Sequence, residues 1–94
     1  MPEKFPLQHK AESNRFEIQT EGLVAVLEYS LQPGRIIFTH TGVPPALEGR
    51  GIGSQLAKAG LEYARENKLK VTPLCWFVAA YIERHPEYAE LVSR

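Results

Sequence analysis

The sequence predicts an α+β domain, α/β-like in its second half. It should have a mixed sheet with an antiparallel β-meander, a parallel fourth strand after a crossover helix, and a short C-terminal helix. Three observations carry this. Residues 16–43 hold three strand-like segments separated by the turn signals Glu21-Gly22 and Gln32-Pro33-Gly34. Residues 52–67 repeat their apolar positions at helical spacing behind a glycine-rich start. The apolar segment 74–82 carries three aromatic residues and stops shortly before Pro86.

Residues 1–12 contain two prolines and mixed charge and are expected to form a flexible N-terminal tail, leaving residues 13–94 as a single domain. Residues 16–20 alternate apolar and polar, the pattern of a half-exposed first strand. Residues 23–31 are almost continuously apolar, which predicts a strand covered on both faces. Pro33 and Gly34 suit the two central positions of a tight turn. The third strand then runs from residue 35 to about 43 and ends at Pro44-Pro45. In the helix, Ile52, Leu56, Ala59, Gly60 and Tyr63 fall on one face. Gly60 costs about 1 kcal/mol against Ala in a helix interior, so close packing is expected there. Residues 69–74 read as a fourth strand, parallel to the third through a right-handed crossover. Residues 76–84 form the last helix, closed before Pro86.

Composition narrows the function classes. Eleven basic residues balance eleven acidic ones, all Glu, so no basic surplus is available for nucleic acid. One cysteine makes no internal disulfide. The first residues lack the apolar core of a signal peptide, and the longest apolar run, nine residues, is less than half of the ~20 a spanning helix needs. A cytoplasmic protein without nucleic-acid or membrane partners is expected, and a chain of 94 residues can act as a monomer.

The chemistry concentrates in residues 40–54 and at Cys75. His40-Thr41-Gly42-Val43-Pro44 ends a strand, and Gly49-Arg50-Gly51-Ile52-Gly53-Ser54 opens a helix. Backbone N–H groups at a helix start have no internal partner, and with the helix dipole they suit a phosphate or pyrophosphate. No Lys-Ser/Thr pair follows the glycines, which argues against a nucleotide-hydrolysing loop. Cys75 stands between the fourth strand and the last helix, where ligands of open α/β sheets bind and where a helix start favours a thiolate. An inert buried cysteine would fit the apolar neighbours Leu74, Trp76 and Phe77 equally well. His40, placed by simple alternation on the face of Ile36 and Phe38, is either a core histidine or a base near neutrality. His9 and His85 have no partner at metal-ligand spacing, so no metal is assigned.

The motifs His40-Thr41-Gly42-Val43-Pro44, Gly49 to Ser54 and Pro73-Leu74-Cys75, in this order, resemble the GNAT superfamily of acyl-CoA-dependent N-acyltransferases. The resemblance covers about residues 14–90 and is nearest to a short stand-alone group, implying a minimal GNAT fold. It implies acetyl-CoA or another acyl-CoA as donor, with the coenzyme A pyrophosphate on Arg50, Gly51, Ile52, Gly53 and Ser54 and the pantetheine arm along Val43. Gln or Arg usually opens that motif; here it is Glu48, whose carboxylate is expected to point to solvent. Tyr81 aligns with a tyrosine that protonates the departing thiolate in some members, and it also occupies a core position four residues after Phe77.

The function expected is therefore transfer of a short acyl group, acetyl first, from coenzyme A to an amine on a small molecule, a protein lysine or an N-terminus. Direct attack by the amine with His40 as base and relay through acyl-Cys75 both remain open. A non-catalytic acyl-CoA binding or sensing module is the rival, and an interaction domain on a degenerate GNAT scaffold a further one. Gly51→Glu or Gly53→Glu is expected to abolish coenzyme A binding with the fold intact.

Overall fold

A computed structural model describes residues 4–92 of the chain. Five strands, β1 (Leu7–Lys10), β2 (Arg15–Thr20), β3 (Leu23–Gln32), β4 (Arg35–Gly42) and β5 (Lys70–Pro73), form one sheet in sequence order. Pairing is antiparallel from β1 to β4 and parallel between β4 and β5. Helix α1 (Ile52–Glu66) makes the crossover and α2 (Trp76–Arg84) follows β5, with 3-10 turns at Ala11–Ser13, Pro45–Leu47 and Pro86–Leu91. This is the mixed α+β sheet that the sequence predicts, with one strand more. Its turns follow from their residues. Glu21 and Gly22 both take positive φ, 55° and 74°, the handedness that matches the twist of a two-residue hairpin. Gly34, after Pro33, has φ 72°.

The extra strand corrects the expectation of a loose tail. Leu7 pairs with Ile18 and His9 with Phe16. The His9 ring stacks on Phe16 at 4.1 Å, meets the edge of Tyr63 at 4.7 Å, and shares a 2.6 Å hydrogen bond with the Tyr29 hydroxyl. Gln55 of α1 holds the segment before it, accepting from the Phe5 N–H and donating to the Phe5 carbonyl. All these partners are distant in sequence, so nothing local announces the strand. Residues 1–3 of the expected tail and 93–94 of the expected domain lie outside the described residues.

Burial lowers the pKa of His9, with Glu12 opposing weakly, so the fold favours the neutral ring. Folded and unfolded states then differ in proton uptake. The stability His9 contributes is complete above the ordinary histidine value of 6.5 and is lost as pH falls below it through the lower folded value. Urea unfolding of the wild type from pH 8 to pH 5 should show this loss, and His9→Gln should flatten that part of the curve.

The core lies on one side of the sheet. Phe16, Ile18, Ala25, Leu27, Ile36 and Phe38 are buried there with Ile52, Leu56, Leu61 and Ala64 of α1. Each of the larger side chains among them, Ile, Leu or Phe, contributes about 1.5–3 kcal/mol. The other side is uncovered in part, contrary to the expectation for residues 23–31. Val24 is 45% exposed, and Val26 and Glu28 are half-buried. The apolar character of Val24 and Val26 is that of β-branched strand residues and not of a second core.

Gly60 shows why α1 can lie so close. A Cβ there would stand 2.8 Å from Phe38 Cε1 and 2.9 Å from Leu27 Cδ2. Gly60→Val should therefore lower stability by about 2–3 kcal/mol through overpacking. Thermal unfolding should record a Tm about 10 °C or more below wild type.

One irregularity decides the site. Tyr29 pairs with Phe38, but Glu28 pairs with His40, so Thr39 is an extra residue in β4. A bulge of this kind inverts the alternation beyond it. Thr41, opposite Leu27, faces the core side, whereas His40, opposite Glu28, faces the open side. His40 thus does not share the face of Ile36 and Phe38.

Candidate active site

Beyond the bulge the two parallel strands part. Their pairing ends at Phe38 and Pro73, where the Cys75 N–H donates to the Phe38 carbonyl at 3.0 Å. β4 then continues alone while the chain after β5 turns into α2. The opening is a groove of about 570 Å³ lined by residues 41–43, Leu47, Glu48, Gly49, Gly51, the first residues of α1 and residues 75–77.

Two helix starts converge on this groove. Gly51 caps α1 with φ 81° and ψ 8°, a left-handed conformation that glycine adopts without steric penalty. Its carbonyl accepts from the Gln55 N–H, so the N–H groups of Ile52, Gly53 and Ser54 have no acceptor within the helix. Cys75 stands in the equivalent position before α2. The positive ends of both helices favour an anion between them. Among the described residues, Glu48 is the one charged side chain lining the groove, and it is exposed. An anion here is met by backbone dipoles rather than by Lys or Arg.

Cys75 is 8% exposed, and its Sγ lies 3.0 Å from Thr41 Oγ1. Trp76, 78% exposed, stands at the rim, and Leu74, 69% exposed, precedes the cysteine. A thiol, a hydroxyl and two helix starts therefore meet where two parallel strands separate.

Comparison with known proteins agrees with this geometry. Residues 15–91 match the family described as GCN5-related N-acetyl-transferase. The chain belongs to the GCN5-related N-acetyltransferase family. It is 36% identical over 83 residues to Protein NATD1 of Mus musculus, covering 85% of this chain and 76% of that protein. Protein NATD1 of Homo sapiens is also 36% identical over 83 residues, with 85% and 74% covered. The solution structure of a GCN5-like protein from Staphylococcus aureus superimposes with a TM-score of 0.75 at 32% identity, covering 95% of this chain and 88% of that one. Among the described residues, no helix is long and apolar enough to cross a membrane.

As a GCN5-related N-acetyltransferase domain, the chain gathers most of the residues expected of its site. Val43, Gly51, Ile52, Gly53, Ser54 and Cys75 all line the groove. Arg50, His40 and Tyr81 do not. The Arg50 guanidinium donates to Glu21 at 2.5 Å and lies 5.1 Å from the centre of the Phe5 ring, turned towards the N-terminal segment. His40 is exposed on the open side of the sheet, where its Nε2 would lie 3.1 Å from a Cβ on Gly42. Tyr81 is buried with its ring stacked on His85 at 3.9 Å. Burial, reinforced by Glu87 and Glu62, raises its phenol pKa. Neither the expected base nor the expected acid lines the groove that holds the thiol.

Gly53 has a packing role beside the one its motif suggests. A Cβ there would stand 2.7 Å from Phe77 Cζ, so its bare backbone admits the α2 aromatic as well as bordering the groove. Thr41 and Trp76 are the site residues that sequence reasoning missed. Thr41 stood within the quoted motif, but its facing direction depends on the bulge.

Proposed function

We propose that this protein is an acyl-CoA-dependent N-acyltransferase, with acetyl-CoA as donor, in which the acyl group passes through Cys75. The observation that supports it is a thiol at the splayed strands, beside two helix starts suited to the phosphates of coenzyme A. The backbone of Ile52, Gly53 and Ser54 would hold the pyrophosphate and Val43 would run beside the pantetheine arm. In the first step the Cys75 sulfur adds to the donor's carbonyl carbon and a new thioester bond forms. The bond to the coenzyme A sulfur breaks, and the thiol proton leaves with that sulfur. In the second step an amine attacks the acyl-Cys75 carbonyl, the amide forms, and the thiol is restored.

Both routes end in attack of a deprotonated amine on a thioester, and among the described groove residues Glu48 offers a carboxylate while none offers an imidazole or amine. The open-side position of His40 argues against it as the base, and the Cys75 thiol in the groove is what supports the two-step route. The test is intact-mass measurement of the protein after brief mixing with acetyl-CoA. A gain of about 42 Da on Cys75, removed on adding a primary amine with formation of its amide, is expected for a covalent relay. Saturable acetyl-CoA binding without adduct or amide would support the binding-module reading instead.

A further inference from the structure

We propose that Thr41 is the positioning residue of Cys75, its hydroxyl holding the sulfur in the groove and donating to it as it attacks. This rests on the reading of Cys75 as the acyl carrier. Three observations place Thr41 in this role. Its Oγ1 is 3.0 Å from Cys75 Sγ. The bulge at Thr39 turns residue 41, and not 40, towards the core side where the groove opens. The backbones are fixed together just below, by the Cys75 N–H on the Phe38 carbonyl, which keeps the two side chains within reach of each other.

The physical case concerns both the free and the reacting sulfur. A thiol on a single Cβ rotates among staggered positions, and a partner hydroxyl selects one of them. As the sulfur gives up its proton to attack it gains negative charge, and a donated hydrogen bond then strengthens, because bonds to charged acceptors exceed neutral ones. Thr41 adds no proton to the balance: the thiol proton still leaves with the coenzyme A sulfur, and the threonine hydroxyl keeps its own.

Thr41→Val keeps the branched shape and the strand preference and removes only the donor. Thr41→Ser restores the donor on a smaller side chain. Three readouts are compared with wild type: Tm, coenzyme A affinity by titration calorimetry, and the rates at which acetyl-CoA acetylates and iodoacetamide alkylates Cys75 at neutral pH. Thr41→Val should keep Tm and affinity near wild type while Cys75 acetylation slows roughly ten- to a hundredfold, with alkylation slowing in the same direction. Thr41→Ser should return both rates to within a few fold of wild type. Wild-type rates in Thr41→Val overturn the proposal, as does a Thr41→Ser protein no faster than Thr41→Val. If acetyl-CoA fails to modify even the wild type, the acyl-carrier reading fails, while the alkylation rates still test the link between Thr41 and Cys75.

Discussion

Cys75→Ser should eliminate the acetyl adduct and reduce acyl transfer roughly a thousandfold or more. Serine fits the same space and keeps a hydrogen bond within reach of Thr41, so the fold and coenzyme A affinity should change little. The hydroxyl is a far weaker nucleophile than the thiol at neutral pH, and no other groove side chain among the described residues offers a thiol, an imidazole or an amine. Turnover assays with a primary amine, run beside calorimetry of coenzyme A binding, check the separation. A Cys75→Ser protein with normal turnover would show that the amine attacks the donor directly. His40→Ala is the matched control. Its side chain lies on the open face with Glu28, so the rate should stay within about threefold of wild type, whereas loss of a general base costs about two to four powers of ten.

Ser54→Glu should weaken coenzyme A binding roughly ten- to a hundredfold while Tm holds or rises slightly. Ser54 is exposed in the first turn of α1 and lines the groove, so its replacement meets no packing obstacle. A carboxylate in that turn stabilises a helix by about 0.3–1 kcal/mol, yet it occupies the place an anionic ligand needs. Calorimetry and thermal unfolding of one protein therefore move in different directions. Unchanged affinity in a folded Ser54→Glu protein would exclude the α1 start as the phosphate site. The glycine substitutions suggested by the motif are poorer probes, because they strain the fold as well as altering the site. At Gly53 any side chain is driven into Phe77, and at Gly51 the φ of 81° strains every L residue.

Much of this architecture was legible because it is written locally. Tight turns at Gly22 and Gly34, helical spacing behind Gly51 and the proline after α2 each depend on a few neighbouring residues, and the structure has them where they were expected. The glycine-rich helix start and the cysteine before α2 were legible for the same reason, as was the family resemblance they carry. The β1 strand was not, because Leu7–Lys10 is held by Phe16, Tyr29 and Tyr63 rather than by any pattern of its own. Residues 23–31 misled differently: apolar content measures strand preference as well as burial, and only the position of the helices distinguishes the two.

By itself the sequence determined the order of strands β2 to β5, the two helices, and the glycine-rich start and the cysteine that precede them. Tertiary structure alone decided which side chains enter the groove. Simple alternation puts His40 on the core side and Thr41 opposite; the pairing of β3 with β4 reverses both by leaving Thr39 unmatched. A bulge is a mismatch in register between two strands, so it belongs to neither strand's sequence. The dual part played by Gly53 is of the same kind, since Phe77 reaches it only when α1 and α2 pack together.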